Sequence, residues 1–177
     1  PSLDHTRPEV NVGPLLPPTE LGTVTLGSQP SVAVAPDGTV YVVSPGVGVW
    51  RSDDQGKSFK GIGKPMCTAP IPNCPTSEND ANGLDSPGDA SFAVSPNGTV
   101  WSAGLAGASG AVPVQWSADK GASWSKGFDV ANKNSSDREW VTINKTGAGF
   151  VQWRDFGSGS TRDSGVLARA TEDDARC

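Results

Sequence analysis

The sequence predicts an all-β fold assembled from repeated four-stranded antiparallel units, and three observations carry that prediction. The segment "SVAVAPDGTVY" at Ser31–Tyr41 aligns without a gap on "SFAVSPNGTVW" at Ser91–Trp101, at an offset of 60 residues. The octet "SDDQGKSF" at Ser52–Phe59 is matched 65 positions later by "SADKGASW" at Ser117–Trp124. The chain also carries 22 glycines and 15 prolines in 177 residues, with no window of sustained helical period. Such turn-rich composition suits β structure.

The elements follow in order. Each aligned segment reads as a short strand of alternating apolar residues, a Pro-Asp-Gly or Pro-Asn-Gly turn, and a second β-rich strand. Asp-Gly and Asn-Gly mark hairpins because both residues tolerate positive φ. A third strand follows, "GVGVWRS" or "VPVQWS", then the octet, then a fourth strand in "FKGIG" or "WSKGF". A third copy reads "REWVTIN" at Arg138–Asn144, the turn "KTGAG", then "FVQWRDF" and "GVLARA" at Gly165–Ala170. "TEDDARC" closes the chain in the register of a decayed octet. The units are expected at 30–63, 89–128 and 137–177, with a long insertion at 64–88 and an extended, Pro-rich N-terminal segment at 1–29.

The octet fits Ser-x-Asp-x-Gly-x-Ser-aromatic, and each residue type has a structural job. Asp54 and Asp119 are expected to accept backbone N–H groups across the turn. Gly56 and Gly121 take positive φ without a Cβ clash. Ser52 and Ser117 bond locally, and Phe59 and Trp124 open the next strand and pack beneath the turn. Catalysis would need a matched base, acid or nucleophile beside the Asp, and the octet holds none. It therefore reads as a fastener.

Composition excludes several function classes. The formal net charge is −5 with acids and bases scattered, and no basic patch suggests nucleic acid. No run is long and apolar enough for a membrane span. The chain begins at Pro1 without a signal peptide, which points to a mature form or an excised piece. Cys67 and Cys74 bracket "CTAPIPNC", a loop stiffened by Pro70, Pro72 and Pro75. That spacing favours a small disulfide loop in an oxidising, extracellular compartment. A zinc site would want several Cys or His, and His5 is the single histidine. Cys177 is left over, which hints at a chain that stops short of its partner.

The repeated octets and aligned strand pairs resemble the Asp-box, or bacterial neuraminidase repeat, of sialidase-like β-propellers. The resemblance covers the chain from about Ser28 onward. It implies a partial β-propeller of about three four-stranded blades, with the boxes on the hairpin between the third and fourth strands, away from any active centre. It does not specify a reaction. A sialidase carries an Arg-Ile-Pro motif before the first strand. Here Pro30 fits, but Ser28 stands where that Arg would be. A catalytic Asp usually follows the second strand, where this chain has Ser44 and Pro45. The family's nucleophile is a Tyr of a later blade, and the single tyrosine, Tyr41, lies in a strand that does not match that position.

Other stretches supply ligand-binding candidates. "SDREWV" places Arg138 or Glu139 on a strand that would line a propeller channel, against a simpler reading as an Asp137–Arg138 pair with Trp140 in the core between units. "GDASFAV" resembles a Gly-Asp-Ala-Asp entry motif of secreted sialidase-like proteins, and that resemblance implies that Asp89 faces the mouth of the channel. Arg154 and Asp155 flank a Gly/Ser loop beside Trp153 and Phe156, with Arg162 and Asp163 beyond it, a combination suited to sugars. A solvated loop with weak surface ion pairs is the competing reading. The acidic loop at Glu78–Ser91 offers hard oxygens for calcium without an EF-hand spacing. Sequons at Asn97, Asn134 and Asn144 matter only in a host that glycosylates. Asn97 is already explained by its turn.

Together these readings predict a secreted, sialidase-like module that binds a glycan or a protein through its loops without catalysis. The alternative is a fragment of an exo-sialidase whose catalytic residues lie largely in other blades. Three repeats leave two open flanks, so further blades or an assembly partner are expected.

Overall fold

The computed structural model describes residues 30–44, 48–62, 90–105, 112–125, 128–130, 136–155 and 164–170. They form eleven strands in three antiparallel sheets. The first sheet is β1 (Ser31–Val34), β2 (Val40–Ser44), β3 (Gly48–Ser52) and β4 (Lys60–Ile62). The second is β5 (Ala90–Val94), β6 (Val100–Gly104), β7 (Pro113–Ser117) and β8 (Phe128–Asp129). The third is β9 (Ser136–Ile143), β10 (Gly149–Asp155) and β11 (Ser164–Ala170). Every sheet is a meander in chain order. No helix among the described residues is long and apolar enough to cross a membrane. The N-terminal segment, the Cys67–Cys74 loop, residues 78–89 of the acidic loop and the last octet lie outside the described residues; the expected end of that loop, Ala90 and Ser91, belongs to β5.

The sequence repeat is also a repeat of turns. Ala35 N–H donates to Thr39 O at 2.8 Å and Gly38 N–H to Ala35 O at 2.9 Å. The same pair of bonds recurs at Ser95–Thr99 and at Asn144–Ala148. In each turn only the glycine has positive φ, at Gly38 (85°), Gly98 (89°) and Gly147 (87°). The expectation that Asp37 and Asn97 would share the positive φ fails. Pro36 and Pro96 set the first turn residue in the right-handed region, so one left-handed glycine closes the hairpin. Asp37 and Asn97 accept instead, from Thr39 N–H at 3.0 Å and Thr99 N–H at 3.1 Å. Asn144 does the same for Thr146 N–H and Ala148 N–H.

Two apolar clusters hold the sheets together. Between the first and second sheets lie Ala33, Tyr41, Val43, Val49, Phe92 and Val100, with Val94 and Trp124 packed against them. Between the second and third lie Trp101, Ala103, Val114, Val141, Val151 and Trp153. Alternation along each strand explains the division: Ala33 opposes Tyr41 on one face of the first sheet, while Phe92 and Val94 occupy the opposite kind of face on the second. Burying a ring such as Phe92 contributes about 2–3 kcal/mol, and it also meets Trp124 at a centroid distance of 5.7 Å.

Two expectations need correction. Trp140 is not in the core: it is 48% exposed. β9 turns Glu139 and Val141 toward the second sheet, so Trp140 falls on the other face, which no described sheet covers. The fourth strand of the second unit is also not "WSKGF". Trp124 precedes it, and β8 is only Phe128–Asp129.

Candidate functional site

The octets fold as closed loops. Ser52 Oγ–H donates to Asp54 Oδ1 at 2.7 Å, and Gly56 N–H donates to Ser52 Oγ at 2.8 Å. Ser58 gives Asp54 two more bonds, from N–H at 2.9 Å and from Oγ–H at 2.6 Å. Ser117, Asp119, Gly121 and Ser123 repeat the same bonds at 2.5–2.8 Å. At the apex two consecutive residues have positive φ: Gln55 (62°) with Gly56 (87°), and Lys120 (60°) with Gly121 (83°). These φ values are those of a type I′ turn, and Ala122 N–H reaches Asp119 O at 3.3 Å. The sequence shows the glycine; the left-handed Gln55 and Lys120 carry no signal in residue type.

These bonds fix the electrostatics. Ser58, through hydroxyl and N–H, holds the Asp54 carboxyl well below the usual carboxylate range. Ser123 does the same for Asp119, lowering it to about 2. Carboxylates so held stay ionised at neutral pH and are poor proton donors.

The second octet also leans on the first sheet. Lys120 Nζ lies 2.7 Å from Asp37 Oδ2, and Arg51 donates to Lys120 O at 2.7 Å. Arg51 in turn pairs with Asp53 at 2.9 Å, and Lys60 joins Asp53 at 2.7 Å. Nothing in the sequence marks this junction, because its partners are 69 and 83 positions apart.

The ligand-binding candidates divide. In the third sheet Arg154 pairs in register with Asp137 and Asp155 with Ser136. The register slips between Gln152 and Arg154, so Arg138 and Glu139 together oppose Trp153. That is a β-bulge, and Arg138 takes the left-handed φ of 55° that such bulges usually give to glycine. Asp137 Oδ1 accepts Arg138 N–H at 2.9 Å and stabilises the bulge. The extra residue separates the two candidates: Arg138 is exposed, and Glu139 is buried toward the second sheet. Arg154 and Asp155 are half-buried at the end of β10. Asp137, Arg138, Arg154 and Asp155 thus gather at one end of the third sheet, remote from its Asn144–Gly147 turn. In the first two sheets the octets share an end with the corresponding turn. The repeat therefore sets octets and charged cluster at opposite ends of the unit. Asp89 lies outside the described residues, as does Phe156.

Tyr41 is fully buried between the first two sheets, and desolvation pushes its hydroxyl up to about 12. A nucleophile would need access and a lowered pKa, and Tyr41 has neither. Among the described residues, no group of three Cys, His, Asp or Glu side chains is placed to hold a metal ion. The acidic loop proposed for calcium is not among them.

No protein-family model matches the chain, and no curated protein does. Solved structures do. The chain is similar to the Hadza microbial sialidase Hz136, with a TM-score of 0.55 and 15% identity over 81% of this chain and 35% of that one. It is also similar to a protein of unknown function from Dyadobacter fermentans DSM 18053, with a TM-score of 0.50 and 12% identity over 80% of this chain and 42% of that one. The chain therefore covers less than half of either. At such identities the likeness concerns the fold alone: three antiparallel sheets in a sialidase-like, all-β arrangement.

Proposed function

We propose that the chain is part of a secreted, sialidase-like β-propeller that binds a glycan or a protein through the loop end of its blades and performs no catalysis by itself. The octets are its Asp-boxes and act as fasteners. The observation that carries the reading is the division of charge. The octet carboxylates are held by their own serines, and Asp137, Arg138, Arg154 and Asp155 gather at the opposite end of the unit. Arginine and carboxylate side chains at that end suit the hydroxyl and carboxylate groups of a sugar, whereas Trp153, expected from the sequence to stack on it, is buried in the core between the second and third sheets.

The test is a panel of immobilised sialylated and desialylated glycans, with release of a fluorogenic sialoside followed on the same protein. Binding that Arg154→Ala weakens roughly tenfold, the loss of one charge-assisted contact, without turnover, is the expected result. Turnover by this chain would sink the non-catalytic reading. Failure to retain any glycan or protein would sink the binding reading.

A second reading is favoured by the sialidase among the structural neighbours. In it the chain is a fragment of an exo-sialidase whose catalytic residues lie largely in other blades. Sialoside hydrolysis by the protein purified from its source, and not by these 177 residues, would support it.

A further inference from the structure

The bulge in β9 sets one arginine apart. The strand pairs that correspond to β9 and β10 in the other units, β1 with β2 and β5 with β6, run in register without a slip. Among the described residues only the third sheet inserts a residue at this place, and Arg138 in that insertion takes a φ of 55°. A left-handed φ disfavours a side chain and suits glycine. The two other non-glycine residues with positive φ, Gln55 and Lys120, sit at octet apices, where the turn type imposes it. Arg138 lies within a strand. An arginine kept where glycine would be less strained points to function rather than stability.

The pair it forms with Asp137 is open. Elsewhere the ion pairs are closed: Arg51 meets Asp53 at 2.9 Å, Lys60 meets Asp53 at 2.7 Å and Lys120 meets Asp37 at 2.7 Å. Arg138 Nε lies 3.9 Å from Asp137 Oδ2, beyond hydrogen-bond reach. Asp137 Oδ1 is taken by Arg138 N–H. Among the described residues, Oδ2 therefore accepts no hydrogen bond and the Arg138 guanidinium donates none. The Arg138 side chain is 52% exposed and that of Asp137 32%. Arg154 and Asp155, at the same end, already have partners. A fork of free donors thus stands beside a free acceptor oxygen, and solvent reaches both.

Charge balance decides which ligand fits. Arg138 and Arg154 share this end with three carboxyl groups, those of Asp137, Glu139 and Asp155. These groups together carry no net positive charge, and an anionic group drawn to Arg138 would also stand beside the Asp137 carboxylate. A sugar hydroxyl both donates and accepts, so two neighbouring hydroxyls can fill the guanidinium and Oδ2 together without like-charge repulsion. We infer that Asp137 and Arg138 form a subsite for an uncharged sugar, contacting neighbouring ring hydroxyls, and that the β9 bulge holds Arg138 in place for it. The inference rests on the glycan-binding reading above and narrows it from glycans at large to neutral ones.

The test uses the protein purified as its native gene encodes it and immobilised glucose, galactose and mannose, each paired with the uronic acid that differs from it at C6 alone. The expected result is that at least one neutral sugar is retained about tenfold more strongly than its uronate, the scale of a like-charge contact. That retention should change less than about twofold between about 0.05 and 0.5 M NaCl, because salt screens charges and the ligand has none. Arg138→Gly keeps the bulge and removes the fork. It should weaken retention about tenfold without lowering the thermal midpoint, since glycine adopts the left-handed φ freely. Asp137→Asn keeps an oxygen for Arg138 N–H, removes a negative charge and should shift preference toward the uronate. Stronger retention of the uronates by the parent, or retention of neither sugar, overturns the inference. So does Arg138→Gly binding like the parent, a fall in its midpoint, or an unshifted preference in Asp137→Asn. Retention of other glycans or of proteins with no hexose bound refutes this subsite and leaves the broader binding reading standing, so the two failures are told apart.

Discussion

Ser91 Oγ accepts the backbone N–H of Val141 at 3.1 Å, across the junction between the second and third sheets. Ser31 and Phe92 make the equivalent contact one unit earlier. Ser91 is 4% exposed, so removing its hydroxyl strands a buried donor. Ser91→Ala should cost about 1–3 kcal/mol. The denaturant midpoint at constant m-value measures it. A variant as stable as the parent would mean that the serine merely fills space.

Acid should weaken the octets. Asp54 and Asp119 are both held below their unfolded range of about 3.9 by bonds from Ser58 and Ser123. A depressed carboxyl contributes stability that is complete above its unfolded pKa and is lost as pH falls through the folded one. For Asp119 that window runs down to about 2, and for Asp54 it extends lower. Thermal midpoints of the parent should therefore fall between pH 4 and 2, taking about 3.9 as the unfolded value. Asp119→Asn should start lower and change less over that range. Parallel profiles for parent and variant would contradict the assignment.

The two octet glycines should respond unequally to alanine. Both have left-handed φ, 87° at Gly56 and 83° at Gly121, which costs a side chain about 1–2 kcal/mol. Gly121→Ala also meets Ile62 Cδ1 at 2.5 Å, adding about 1 kcal/mol of overpacking. Ile62→Val removes that atom and should erase the difference between the two alanine variants. Urea titrations of the four proteins decide it.

Tyr41→Phe should stabilise the chain. The Tyr41 hydroxyl is buried and has no hydrogen-bond partner among the described residues. An unsatisfied buried hydroxyl costs about 1–3 kcal/mol, so its removal should raise the unfolding free energy by about 1 kcal/mol. The same variant should leave ligand binding unchanged. Loss of binding would give Tyr41 a role that its burial argues against.

The sequence alone determined what is local. The offset of 60 between Ser31–Tyr41 and Ser91–Trp101 places the hairpins, and the octets place the reversals between third and fourth strands. Turn chemistry acts over four or five residues, so it is written in residue type: Gly38, Gly98 and Gly147 must be left-handed wherever the sheets go. The tertiary structure decided whatever joins distant segments. The serine contacts of Ser31 and Ser91, the Lys120–Asp37 pair and the Gly121–Ile62 contact all depend on how one sheet lies against the next. The charged end was half legible. Arg154 and Asp155 are visible as a cluster, but the bulge at Arg138, which turns Glu139 inward and Trp140 outward, appears only once β9 and β10 are paired. A strand's alternation gives two faces in sequence, yet one inserted residue exchanges them, and only the partner strand shows where the insertion falls.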